Sequence, residues 1–261
     1  MTLETLAAAG FALWCWWLGT GVILWLDRLH PSTFNRSLAG WTVLLALSFG
    51  GVWQSMSENS VFNAYLGFGS VIVMWGWHEL AFLTGRLTGP RTTPLESGAT
   101  ELQRFKQSID VVIHHELALL LNFGLLCLMQ IDQPNHVALC TFALLWCMRL
   151  SAKLNLYFGV RHNGAQYLPA HLLYLGSYFR IRSMTPWFVL SMLAACLAWT
   201  WMLWRAQQGL VEVTTGWVLL ASLLGLAIVE HAMMVVPWPM EKLWGWALGQ
   251  TVSTKPVNAS T

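Results

Sequence analysis

Val61–Gly85 reads VFNAYLGFGSVIVMWGWHELAFLTG, and its reading decides the fold. The run is far too long for a strand and contains no proline. Its only charged residue is Glu79, set directly after His78. As a helix rising 1.5 Å per residue it exceeds the ~30 Å hydrocarbon core of a bilayer. A proline-free apolar run of that length is a membrane span, and the histidine–glutamate pair inside it calls for an explanation.

The rest of the chain has the same character. Of its 261 residues 56% are hydrophobic and only 10% charged, with 17 tryptophans, which is outside the balance of a soluble domain. Further runs of spanning length lie at Leu3–Leu26, Ser37–Ser55, Ser108–Gln130, Asn135–Tyr157, Trp187–Arg205 and Thr214–Val236. All nine prolines fall between or after the runs, where a missing N–H is tolerated. The sequence therefore predicts an all-α integral membrane protein, a bundle of about seven transmembrane helices. The first run is too long for a signal-peptide core and lacks a basic start, so it is expected to stay as a span. A net charge of +2 suggests no nucleic acid partner. Cys15, Cys127, Cys140, Cys147 and Cys196 all lie in apolar runs without a disulfide or metal spacing, and read as small hydrophobes.

Basic residues give the expected sidedness, because lysine and arginine in short loops resist translocation. Thirteen of the fourteen, from Arg28 through Lys255, lie in or beside the first, third and fifth connections or after the last span; Arg205 alone lies opposite. This places the N-terminus outside and the C-terminus in the cytoplasm. Residues 1–250 form a single bundle on this reading. Interfacial helices are expected near 166–182, where Leu168, Leu172, Leu175 and Phe179 share a helical face, and near 240–249; residues 251–261 are expected to be disordered.

The topology turns the acid–imidazole pairs into a question of depth. His78 precedes Arg86 by eight residues, His115 follows Lys106 by nine, and Glu230 precedes Pro237 by seven. Each then sits roughly 10–14 Å from one membrane boundary. His115 is followed by Glu116 and Glu230 by His231, while the fifth run reaches a similar level with Arg149 and Lys153. Ionisable groups at membrane depth cost at least ~2.5–3.5 kcal/mol each, so they turn inward and find partners.

Two readings of the layer stay open. In one it is a buried structural network, with the glutamates neutralising Arg149 and Lys153. In the other it is a ligand site. His78, Glu79, His115, Glu116, Glu230 and His231 are residue types that hold iron or a related metal; His78, His115 and His231, with Arg149 and Lys153, could bind a tetrapyrrole. Adjacent residues diverge by ~100° around a helix, so no single pair can aim both side chains at one point; this weighs against a di-iron site. His30, His136, His162 and His171 lie in connections and read as surface groups. The tryptophans near span ends read mostly as an interfacial belt. No phosphate-binding loop, nucleophile elbow or zinc-protease motif is present.

Several blocks together resemble one family. WLDRLHPSTFNRSLAG, WGWHELAFLTGRLTGPR, HHELALLL, WCMRLSAKLNLYFGV, LPAHLLYLGSYF and VEHAMMVVP are similar to the photosynthetic complex assembly protein 2 family, PuhE, of purple phototrophic bacteria. The likeness runs from the first span to about Trp238, departing at RHNGAQYLPAHL. It implies a multi-pass protein of the bacterial cytoplasmic (intracytoplasmic) membrane that assists formation of the reaction centre and core antenna and influences bacteriochlorophyll supply. Reaction-centre or core-antenna subunits are the partners it implies, besides the lipid bilayer. It supplies no catalytic residues. The rival expectations are a membrane metalloenzyme oxidising a tetrapyrrole or lipid and, behind it, a proton-coupled transporter.

Overall fold

The computed structural model describes residues 2–237 and 243–248. Eight long or medium helices follow one another: α1 Leu3–Asp27, α2 Phe34–Met56, α3 Val61–Leu83, α4 Glu101–Asp110, α5 Ile113–Met129, α6 Val137–Phe158, α7 Pro186–Ala206 and α8 Val211–Met233. A short α9, Gly245–Leu248, comes last. Their starts follow local chemistry. Thr2, Ser60 and Thr185 each accept a backbone N–H of the first turn, Thr100 and Gln103 form a reciprocal capping box, and Pro186 opens α7 where its missing N–H costs nothing.

Among the described residues five helices, α1, α3, α6, α7 and α8, are long and apolar enough to cross a membrane; α4 and α5 would add a sixth if their bent pair counts as one. The protein is thus a helical membrane protein with several spans. α2, although 23 residues long, is less apolar than these five. α3 and α8 occupy the middle of the bundle and α7 its edge: 50% of the apolar window of α3 is buried, against 11% for α7. Phe68, Val71, Met74, Leu219 and Leu224 fill the interior.

The stretch Ser108–Gln130, expected as one span, is broken. α4 ends at Asp110, α5 starts at Ile113, and their axes differ by 59°. Neither proline nor glycine causes the break. The loop after α3 enters the helical ladder instead: Arg91 N–H donates to the Asp110 carbonyl at 3.3 Å, and His115 N–H donates to the Thr88 carbonyl at 3.0 Å. Gly89 permits this approach, since a Cβ there would lie 2.0 Å from the Asp110 oxygen.

Residues 166–182 also differ from the expected amphipathic α-helix. They form 3₁₀ turns, Ala165–Tyr167 and Ala170–Tyr178. Leu172, Leu175 and Tyr178 turn inward onto Phe82 of α3 and Val111 at the α4–α5 break, so this segment props the end of α3. Of the expected interfacial helix near 240–249, Leu243–Leu248 are described and pack on α1. Trp17 donates its indole N–H to the Leu243 carbonyl at 2.9 Å, and Trp244 donates to the Trp17 carbonyl at 3.0 Å. Gly21 lies beneath these rings, where a Cβ would stand 2.1 Å from Trp246. Residues 240–242 and 249, and the tail 251–261, lie outside the described residues.

Candidate functional site

α6 is the hub of the polar layer. Trp146, Arg149 and Lys153 recur at three and four residues, so they share one face. Arg149 donates from Nη2 to Glu79 Oε2 of α3 at 2.7 Å. Lys153 Nζ pairs with Glu116 Oε1 of α5, whose Oε2 accepts the Trp146 indole N–H at 3.1 Å. The Lys153 ammonium also lies 5.5 Å from the centre of the Phe82 ring. Ser151 and Asn155 occupy the opposite face. Ser151 Oγ is 3.0 Å from His231 Nε2 of α8, and Asn155 donates to Ser191 Oγ of α7 at 3.1 Å.

The third carboxylate is held by a neutral group. Glu230 Oε1 accepts the Trp16 indole N–H of α1 at 2.7 Å, and Arg149 and Glu79 lie near enough to act on it electrostatically. The layer therefore draws together α1, α3, α5, α6 and α8.

The imidazoles divide into two classes. His231 is satisfied at both nitrogens, by Ser151 and by the Ala227 carbonyl at 2.9 Å from Nδ1. His78 Nε2 is 2.8 Å from the Asn122 amide, which leaves His78 Nδ1 and Asn122 Oδ1 without partners. His115 is 0% exposed, and neither of its ring nitrogens has a partner. Its ring faces Phe82 at 4.8 Å and His78 at 6.4 Å between centroids, with Lys153 and Arg149 within electrostatic reach. A buried unpaired polar group costs about 1–3 kcal/mol, so an unpaired imidazole beside a second half-paired one is a place for a ligand.

The structure thus brings Glu79 to Arg149 and Glu116 to Lys153, and His78 to His115. It does not bring the six metal candidates to one point: among the described residues no three of His, Cys, Asp or Glu form a group able to hold a metal ion. The ~100° divergence is visible in the pair at α3, where His78 reaches Asn122 and Glu79 reaches Arg149. Sequence reasoning missed Asn122, Trp146, Ser151 and Trp16. Asn122 follows His115 by two turns and Trp146 precedes Arg149 by one, so their shared faces were available as signals. Trp16 carried no such signal among 17 tryptophans.

No solved structure matches the chain. A protein of Rhodobacter capsulatus described as "Uncharacterized 30.4 kDa protein in puhA 5'region" is 36% identical over 241 residues, covering 90% of this chain and 88% of that protein. The family described as "Protein of unknown function (DUF3623)" matches residues 2–255, a reach that takes in every helix of the polar layer. With α1 through α8 and the whole buried acid–imidazole layer inside that match, the chain belongs to the DUF3623 family.

Proposed function

We propose that the protein is an assembly factor for the photosynthetic reaction centre and its core antenna. It lies in the bacterial cytoplasmic (intracytoplasmic) membrane as seven spans, N-terminus outside, with its polar layer in the cytoplasmic half. The relative from the puhA 5' region and the blocks shared with the PuhE family support the photosynthetic setting.

One observation carries the role of the site: every glutamate of the layer is tied through at least one oxygen to a cation or an indole of the chain, whereas neither ring nitrogen of His115 has a partner. Iron sites of oxidising enzymes and proton relays both draw on free carboxylates. A layer whose glutamates are each already tied to a cation or an indole, with an imidazole to spare, suits a ligand that needs nitrogen alone, as the magnesium of a bacteriochlorophyll or related tetrapyrrole does. His115 is the residue that would hold it, with His78 beside it. α5 is the element that must give way, because it packs chiefly on α3 and α6 and turns Leu117, Leu120, Leu121, Leu125 and Leu128 outward. That leucine face suits lipid, a pigment tail or the helix of a client subunit.

Purification from a phototrophic host and from a pigment-free host tests the proposal. Tetrapyrrole absorption in the first preparation only, lost in His115→Ala, with core-complex subunits co-purifying, is the expected result. Identical spectra without pigment bands, and no co-purifying subunits, overturn it. Stoichiometric iron that disappears in a Glu116→Ala, Glu230→Ala double variant would make the protein a metalloenzyme instead.

A further inference from the structure

A second polar site lies where α3 ends. Three segments meet around a cavity of about 340 Å³: the α1–α2 connection, the loop that follows α3, and the 3₁₀ segment Ala170–Tyr178. That volume lies within the range of small-molecule sites. One wall is apolar and well packed, with Phe34 and Leu172 both buried. The other is made of hydroxyls and one cation.

Arg86 is the cation. It lies three residues beyond the last residue of α3, is exposed, and its guanidinium has no partner among the described residues. Among the described residues no carboxylate lines the cavity to neutralise it. Thr92 adds a hydroxyl at the rim. The Tyr174 phenol lies beside the buried Thr88, and burial raises its pKa, so it stays a neutral donor. The frame is fixed from behind: His171 Nε2 donates to the Leu83 carbonyl at 2.8 Å, and the Thr88 carbonyl is held by the His115 N–H. A guanidinium with hydroxyl donors and no acid recognises a tetrahedral oxyanion, and the apolar wall together with the spare volume calls for one carried on a larger body.

We infer that this cavity binds a phosphate ester, with Arg86 as the charge partner, Thr92 and the Thr88–Tyr174 pair as neutral donors, and Phe34 and Leu172 against the body of the ligand. Two sources share that chemistry. The cavity opens where a span ends, at the depth of lipid headgroups, and a soluble phosphate ester could enter the same opening. The inference is independent of the pigment proposal, since none of these side chains belongs to the acid–imidazole layer.

Native mass spectrometry of the delipidated full chain in detergent tests it, with dioleoylphosphatidylglycerol, the matching diacylglycerol without phosphate, and inorganic phosphate as probes. Saturable binding of one phosphatidylglycerol, absent for the diacylglycerol and displaced by inorganic phosphate, is expected for a lipid headgroup. Binding of inorganic phosphate without phosphatidylglycerol assigns the soluble source and equally supports a phosphate site. In either case Arg86→Gln weakens binding by roughly tenfold and Thr92→Val by less, whereas Arg86→Lys keeps part of the affinity. Unchanged binding in both Arg86→Gln and Thr92→Val, or no saturable binding of either phosphate probe, overturns the inference.

Discussion

The two faces of α6 hold their neighbours by different chemistry. Arg149 and Lys153 meet the carboxylates of α3 and α5, while Ser151, roughly 200° around the helix from Arg149, meets an imidazole of α8, and Asn155 meets a serine of α7. A helix that carries two cations into a bilayer needs two anions on adjacent helices, and both must be in place for either to be tolerated. The opposite face asks only for a hydroxyl or an amide, groups that find substitutes at little cost. The charged face therefore fixes which helices stand beside α6, and the neutral face adjusts to them.

Substitutions can break or sharpen that contrast. Lys153→Ala strands Glu116, whose side chain is 20% exposed, and should lower stability by about 3–5 kcal/mol. Unfolding in mixed micelles measures it, and the double variant Lys153→Met, Glu116→Gln should recover most of the loss. Arg149→Ala strands Glu79, whose side chain is 14% exposed, and should cost a comparable amount, about 3–5 kcal/mol. Trp16→Phe removes the donor from Glu230 while keeping an aromatic ring, and the same assay should show a loss of about 1–2 kcal/mol. Ser151→Ala should cost about 0.6 kcal/mol, the typical worth of a hydrogen bond between membrane helices. If Ser151→Ala were as damaging as Lys153→Ala, the two faces would not differ in kind.

Much of this was legible in the sequence because depth follows from counting. Helical rise set His78, His115, Arg149 and Glu230 in one slab before any packing was known, and the cost of isolated charge required the glutamates to find the cations. Partner choice was not legible. Which glutamate meets which cation depends on how α3, α5 and α6 are rotated against one another, and apolar surroundings on every side leave the rotation of a membrane helix weakly marked in its pattern. The break between α4 and α5 was hidden for another reason: its cause is Thr88 to Arg91, some twenty residues upstream, and not Val111 or Val112 at the break itself. Leu172 and Leu175 misled in the same way, since the inward face of a 3₁₀ segment looks much like the apolar face of a short amphipathic helix.

The tryptophan contacts between residues 243–248 and α1 join segments that lie far apart in the order of synthesis. Trp16, which secures Glu230, also packs edge-on against Trp244 at 5.1 Å between ring centroids. Translation delivers Trp244 more than two hundred residues after Trp16. Until then the first helix has α2, α3 and α8 to rest on but lacks this latch. A nascent chain arrested ahead of Leu243 would present an unlatched first helix to its surroundings.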